Sequence, residues 1–182
     1  MARIRLYLQS LVPGSGLPYH RRGDRSGTVY HLPLLRLTTR LFVLPHERAN
    51  FEGPGDVEDE WKIEAILDTG APLSVFPFRV WQPFRDAVRG LDQPPAGPHG
   101  RRLTILGGPF PYRLGRLRFG AYDRTGDWLP AVTSNAWFLD DATGAPGQAV
   151  PGLRTRLFEA RQLRCEDAPG DPFGQRWVLE DS

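Results

Sequence analysis

The chain has 182 residues but only one cysteine, Cys165, and one lysine, Lys62. A single cysteine excludes an intrachain disulfide and any metal site built from several thiolates. It reads as a small buried residue in a reducing compartment. Apart from Lys62 the basic residues are all arginine, and the formal net charge is only +2. The arginines alternate with apolar residues, as in Arg116-Leu117-Arg118-Phe119, and form no basic stripe. That pattern reflects base composition, so nucleic acid is not an expected partner. No apolar run approaches the ~18 residues of a membrane span. The start, Met1-Ala2-Arg3-Ile4-Arg5-Leu6, lacks the apolar stretch of a signal peptide. The expectation is a soluble, cytoplasmic protein without a membrane partner. His20, His31, His46 and His99 are scattered, without ligand spacing to one another or to Cys165, so no metal and no other cofactor is assigned. Asp123, Asp127, Asp140, Asp141 and Glu159 lack the spacing of a calcium loop. There is no internal repeat.

Glycine and proline, in contrast, are plentiful: 20 and 18 residues spread along the whole chain. They interrupt long helices and suit short strands joined by turns, which makes the chain mainly β, and its length is that of one domain. Ile4 to Leu8 alternates as a first strand, followed by a loose polar loop through Arg21 to Gly27. Val29 to Leu44 reads as one or two strands, and Asn50 to Glu60 as an exposed turn. Trp61 to Leu67 alternates apolar and polar residues, the mark of a half-buried strand. Val80, Trp81, Phe84, Ala87, Val88 and Leu91 make the best helical face, which Pro83 kinks or splits. Pro94 to Gly100 is a loop. Leu103 to Leu106 and Tyr112 to Phe119 form a hairpin tipped by Gly107-Gly108-Pro109. Strands follow at Trp128 to Thr133 and near Ala136 to Leu139, then a loop from Asp140 to Gln148. Arg154 to Phe158 reads as a short helix. Leu163 and Trp177 to Leu179 belong to a last pair of strands across the turn Asp167 to Gly174. Residues 1–60 are expected as strands and loops packed on, or part of, a core spanning 61–182, one structural domain overall.

The chemistry is concentrated in Ala65-Ile66-Leu67-Asp68-Thr69-Gly70-Ala71-Pro72-Leu73-Ser74-Val75-Phe76. A carboxylate just after a buried strand, on a tight Thr-Gly turn, faces a cleft. Gly70 permits close backbone approach. The amides of Gly70 and Ala71 are placed to donate to Asp68, and Thr69 offers a hydroxyl for a bond across the turn. On the triplet alone, a turn closing a strand is the ordinary reading. The flanking pattern lowers the chance of coincidence to on the order of one in a thousand. Ser74 as a nucleophile would need a paired base, and none is visible.

This segment resembles the signature of retropepsin-like aspartic peptidases: Ile66 and Leu67, then Asp68-Thr69-Gly70-Ala71, then Ser74, Val75 and Phe76. The resemblance implies a single closed acid-protease β-barrel with one or two short helices. It implies Asp68 as the catalytic carboxylate, with Thr69, Gly70, Ala71 and Ser74 as its support. A downstream flap is matched by the hairpin with Leu106, Gly107 and Gly108 at its tip, though an ordinary hairpin turn fits those glycines equally well. A late supporting segment is matched by Val150-Pro151-Gly152-Leu153, with Val150 and Gly152 its key positions. Pro72 and Leu73 depart from the acids that viral members carry after the motif, and Pro151 removes a backbone donor.

Aspartic proteolysis needs two carboxylates sharing one proton, since like charges that close cannot both ionise. There is one Asp-Thr-Gly here. Asp141-Ala142-Thr143-Gly144 has one residue too many, and Asp24-Arg25-Ser26-Gly27 follows no hydrophobic strand. The expectation is therefore a homodimer with Asp68 from each chain on the two-fold axis, acting as an endopeptidase on a peptide or protein substrate. The rival reading is a catalytically weak or inactive module of the same fold, kept for dimerisation or peptide binding.

Overall fold

The computed structural model describes residues 2–10, 16–19, 25–28, 30–33, 35–68, 70–92, 102–105, 108–140, 148–159, 161–172 and 174–181. The chain is mainly β with a few short helices. Strands β1 (Arg3–Ser10), β2 (Gly16–Tyr19), β3 (Tyr30–Pro33) and β4 (Leu35–Leu44) come first. Next are β5 (Lys62–Leu67), β6 (Ser74–Phe76) and the one-turn helix α1 (Phe78–Trp81), then β7 (Arg102–Ile105), β8 (Gly108–Tyr122) and β9 (Trp128–Leu139). Helix α2 (Arg156–Glu159) precedes β10 (Arg161–Asp167) and β11 (Gln175–Asp181). No helix among the described residues is long and apolar enough to cross a membrane.

Nine strands share one sheet, in the order β10-β11-β1-β4-β8-β9-β6, with β5 on β4 and β7 on β8, while β2 and β3 form a separate ribbon. Strand β4 organises it. Its first half pairs with β1, from Leu35↔Ser10 to Thr38↔Tyr7. Its second half pairs with β8, from Arg40↔Tyr122 to Leu44↔Arg118. The opposite edge carries β5, from Leu37↔Leu67 to Phe42↔Lys62. Among the described residues the strand ladders draw an open path, not the closed ring expected for a barrel; isolated bridges at Ala149, Val150 and Gly152 link the end of β5 to β6.

The core is aromatic. Phe76 stacks on Phe138 with ring centroids 5.5 Å apart and meets Phe119 and Phe84 edge-on. Such pairs add to the burial of their large apolar area. Trp81 is also buried, its indole N–H donating to the Leu139 carbonyl at 2.8 Å. Trp81, Phe84 and Ala87 are thus the inner face read from the sequence. Pro83 divides that segment as expected: α1 gives way to a 3-10 turn over Gln82–Ala87, and Phe84 breaks helical geometry.

Several expectations need correction. Trp128 to Leu139 is one strand, because Thr133, Ser134 and Asn135 sit in unbroken register with Arg118, Leu117 and Arg116 of β8. Cross-strand pairing overrides the loop-like character of those small polar residues. Asn50 to Glu60 is not simply exposed: Pro54 and Val57 are buried, and Phe51 stacks on Phe42 at 4.9 Å. Alternation in β5 holds only to Glu64. Ala65, Ile66 and Leu67 are all buried, since both of its edges and both faces are covered there. Cys165, read as buried, is exposed on β10. The loop Pro94 to Gly100, most of the loop after Asp140 and most of Arg21 to Gly27 lie outside the described residues.

Candidate active site

Asp68 follows the buried end of β5, and its own side chain is exposed. Its main chain is held on one side by the segment that the sequence nominated as support. The Asp68 N–H donates to the Pro151 carbonyl at 3.1 Å, and the Leu153 N–H donates to the Asp68 carbonyl at 3.3 Å. Upstream, Ala149 donates to Glu64 at 3.2 Å and accepts from Ile66 at 2.8 Å. This is the register of a short parallel ladder. Pro151 has no N–H to give the Ile66 carbonyl, so one rung is absent and two isolated bridges remain, Ala65↔Ala149 and Asp68↔Gly152. The other edge of the segment faces β6, where Val75 and Val150 exchange both main-chain bonds at 2.9 Å.

The carboxylate accepts the Gly70 N–H at 2.8 Å on Oδ1. The Ala71 amide, the second donor expected, makes no such bond. Ala71 contributes by contact instead: its carbonyl oxygen lies 2.3 Å from where a Cβ on Gly152 would stand. Only glycine fits at 152, and that close approach locks the motif loop against the supporting segment. Gly152 is in turn held by Thr155, whose N–H and Oγ1 both bond its carbonyl, at 3.2 and 3.0 Å. Thr155 is buried at the start of α2, and Leu157 and Phe158 anchor that turn in the core. Thr155 was not singled out in the sequence; a Thr three residues after a Gly, opening a short helix, is the signal that would have found it.

Ser74 is fully buried in β6, in register with Ala136 of β9, and its hydroxyl has no hydrogen-bond partner among the described residues. A sealed hydroxyl without a base is no nucleophile. The hairpin read as a flap is formed by β7 and β8, in register from Arg102↔Pro111 to Ile105↔Gly108. Leu106, Gly107 and Thr69 lie outside the described residues. The root of the hairpin meets the supporting segment: Phe110 and Tyr112 of β8 cluster with Val75, Trp137, Leu139 and Val150. Asp68, Gly70, Ala71, Val150 and Gly152 thus form one connected unit, with the root of the β7–β8 hairpin beside it.

A separate concavity lies away from Asp68. A cavity of about 770 Å³ between β1, β11 and the β8–β9 turn is lined by Arg3, Arg5, Asp127, Glu166 and Arg176. Within the chain Arg3 is paired to Glu166, and both Arg5 and Arg176 to Asp171. The carboxylate of Asp123 at its floor is spent on the fold. It accepts the Arg5 N–H on one oxygen, and the Thr125 N–H, the Thr125 hydroxyl and the Asp127 N–H on the other. Sequence reading weighed Asp123 only as a calcium ligand and missed this role as the clasp between the β8–β9 turn and β1.

No protein-family model matches the chain. No curated protein matches it. Among solved structures it is similar to the crystal structure of a retropepsin-like aspartic protease from Rickettsia conorii, with a TM-score of 0.37 and 14% identity over 79% of this chain and 81% of that one.

Proposed function

We propose that the chain is an aspartic endopeptidase that works as a homodimer, hydrolysing peptide bonds with a water held between the Asp68 carboxylates of two copies. The observation that carries this reading is the setting of Asp68: an exposed carboxylate on an immobilised backbone, at the end of a strand whose last residues are buried. Rigid main chain and a free side chain are what a positioned acid or base requires. One Asp68, ionised, takes a proton from the water as its oxygen attacks the peptide carbonyl carbon. The other, protonated, gives its proton to the carbonyl oxygen. The tetrahedral diol then collapses, the C–N bond breaks, and a proton passes to the leaving nitrogen. The titration belongs to the pair and not to either group. Thr69, Gly70, Ala71 and Ser74 hold the loop, and Val150 and Gly152 brace it from behind.

In this reading the six main-chain bonds of Ala149 to Leu153 with β5 and β6 complete a closed barrel, and residues 1–60 contribute strands to it. The substrate cleft is the space between two copies, under hairpins tipped by Leu106, Gly107 and Gly108. The test is cleavage of a mixed peptide library by wild type and by Asp68→Asn, followed by mass spectrometry between about pH 4 and pH 7, the range of shared-proton carboxylate pairs. Cleavage by wild type alone supports the proposal. Silence of a wild-type chain shown to be dimeric removes it, and leaves a peptide-binding or dimerisation module.

A further inference from the structure

A hollow of about 410 Å³ opens at the start of β5. By strand rise it is about 20 Å from Asp68, which follows the other end of that strand. Arg40 of β4, Lys62 of β5, Tyr122 of β8 and Arg124 of the β8–β9 turn line it, with Asp59 and Asp123 as its acids. The sheet puts the first three on one face: Arg40 is opposed to Tyr122, and Phe42, two residues on, is opposed to Lys62. Arg40 also stands directly opposite Glu64, the acid that cross-strand pairing offers it. It does not take that partner. Its guanidinium lies over the Tyr122 ring, 6.0 Å from the centroid, while Glu64 accepts a bond from Gln148 at 3.2 Å. Arg124 is placed in the same way, 4.3 Å over the ring of Tyr7, whose hydroxyl accepts the Arg124 N–H at 3.2 Å. Neither guanidinium has an acid partner among the described residues. Asp123 is committed to Arg5 and its own turn. Only Asp59, 99% exposed, answers the three cations, through Lys62 at 2.9 Å. A pair so open to water is worth little.

We propose that this hollow binds the phosphate group of a small phosphomonoester, held by the Arg40 fork, the Lys62 ammonium and the Tyr122 hydroxyl, with Arg124 at its rim. Three like charges around one hollow repel one another, and a dianion among them turns that repulsion into attraction. A planar guanidinium meets two phosphate oxygens at once, and an ammonium adds a compact point charge. Tyr122 completes the donor set. Burial raises its phenol above the ordinary pKa, and the pull of Arg40 and Lys62 in the other direction does not overcome it. The hydroxyl therefore keeps its proton at neutral pH and is a donor to the anion. The rings beneath Arg40 and Arg124 hold both guanidiniums in place, so less side-chain freedom is lost when the ligand arrives. A tetrahedral anion is the size of a few water molecules, at about 30 Å³ each. The hollow is much larger, within the range of about 300–1,000 Å³ typical of small-ligand sites, and has room for the group that carries the phosphate. The inference requires no chemistry at Asp68 and stands or falls apart from the peptidase reading.

The test titrates the full chain by calorimetry with glycerol phosphate, inorganic phosphate and dimethyl phosphate. Chloride holds the ionic strength constant, so that screening does not mimic binding. Glycerol phosphate is expected to saturate a single site and to bind more tightly than inorganic phosphate, with the singly charged diester weaker by about tenfold. Arg40→Gln and Lys62→Gln should each weaken glycerol phosphate by about tenfold, and Tyr122→Phe, which keeps the ring and removes the hydroxyl, by about threefold. Arg85→Gln, at an exposed arginine outside the hollow, should bind as wild type does. Amide chemical shifts of the wild type locate the site without any variant: those of Arg40, Lys62 and Tyr122 should move with saturation while that of Asp68 stays. A wild type with no saturable binding below about 10 mM, weaker than any millimolar site, overturns the inference. So does affinity that Arg40→Gln and Lys62→Gln leave unchanged, or a set of shifts centred elsewhere. Tighter binding of inorganic phosphate than of the ester overturns the assignment to a phosphomonoester.

Discussion

Gly152→Ala is the substitution that most directly tests how the motif loop is held. An ideal Cβ at 152 stands 2.3 Å from the Ala71 carbonyl oxygen and 3.0 Å from its carbonyl carbon. Both are backbone atoms, so no rotamer change relieves the overlap. About 1 Å of separation must be found, and the available motion draws Pro151 to Leu153 away from β5. The bonds from Asp68 N–H to Pro151 and from Leu153 N–H to Asp68 are already 3.1 and 3.3 Å long. A shift of that size breaks both. Two lost bonds at about 1 kcal/mol each, with overpacking strain of about 1–3 kcal/mol, give a destabilisation of about 3–5 kcal/mol. For a chain of this size that lowers Tm by about 6–20 °C, at about 2–4 °C per kcal/mol. Urea and thermal unfolding measure it, and hydrogen exchange at the amides of Asp68 and Leu153 locates it. Gly170→Ala is the control: a Cβ there meets nothing within 4 Å, and its effect should be near zero. If Gly152→Ala stays within about 0.5 kcal/mol of wild type, the range of ordinary surface changes, the close approach does not brace the loop and the account of this site is wrong.

Other expectations follow from the same geometry. Asp68→Asn keeps an acceptor for the Gly70 N–H at an exposed position, so its urea midpoint should match wild type within about 0.5 kcal/mol even where cleavage is lost. Asp123→Ala removes a buried carboxylate that accepts four hydrogen bonds, and should cost about 2–4 kcal/mol in urea unfolding, with Asp123→Asn recovering part of it; equal stability of all three proteins would refute the clasp. Burial pushes the Tyr122 phenol above its ordinary pKa of 10.0, against the opposing pull of Arg40 and Lys62. The unfolded chain therefore loses that proton first, so this contribution to stability is whole below pH 10 and drains away as pH rises through the folded value. Tyr122→Phe should flatten the alkaline fall in urea midpoints, and an unchanged slope would discard the point.

What the sequence made legible was local. The strand before Asp68 and the Pro83 break each act within a few residues, and neighbouring side chains decide them. The β8–β9 ladder was less legible because Ser134 and Asn135 become strand only through Leu117 and Arg116, far off in the chain. Asp123 was missed because its role spans the fold: three of its four donors lie in its own turn, but the fourth, the Arg5 N–H of β1, is brought to it only by the tertiary structure. Cys165 was misread for a related reason. Burial of a small residue depends on whether its strand is internal, and β10 is an edge. The candidate site divided along the same line, with Asp68 and Gly70 readable from the motif, Gly152 nominated only through the family resemblance, and Thr155 hidden in tertiary contact.

Pro151 connects the two halves of that account. From sequence it is an anomaly in a segment that ought to be a strand, because it lacks a donor. In the structure it faces β5 at the one position where the N–H would have met the Ile66 carbonyl, while its own carbonyl serves Asp68. The proline therefore removes a rung behind the motif and leaves intact the two bonds that hold the aspartate itself. The same loss is why β5 and the supporting segment are joined by separate bridges and not by a ladder. Restraint at Asp68 is thus concentrated in few contacts: Pro151 and Leu153 on the main chain, Gly70 on the carboxylate, and the glycine-only approach of Gly152 to Ala71. A site so held gains rigidity from fit more than from the number of its bonds, so single-atom changes at 152 should matter more than the loss of any one exposed side chain around it.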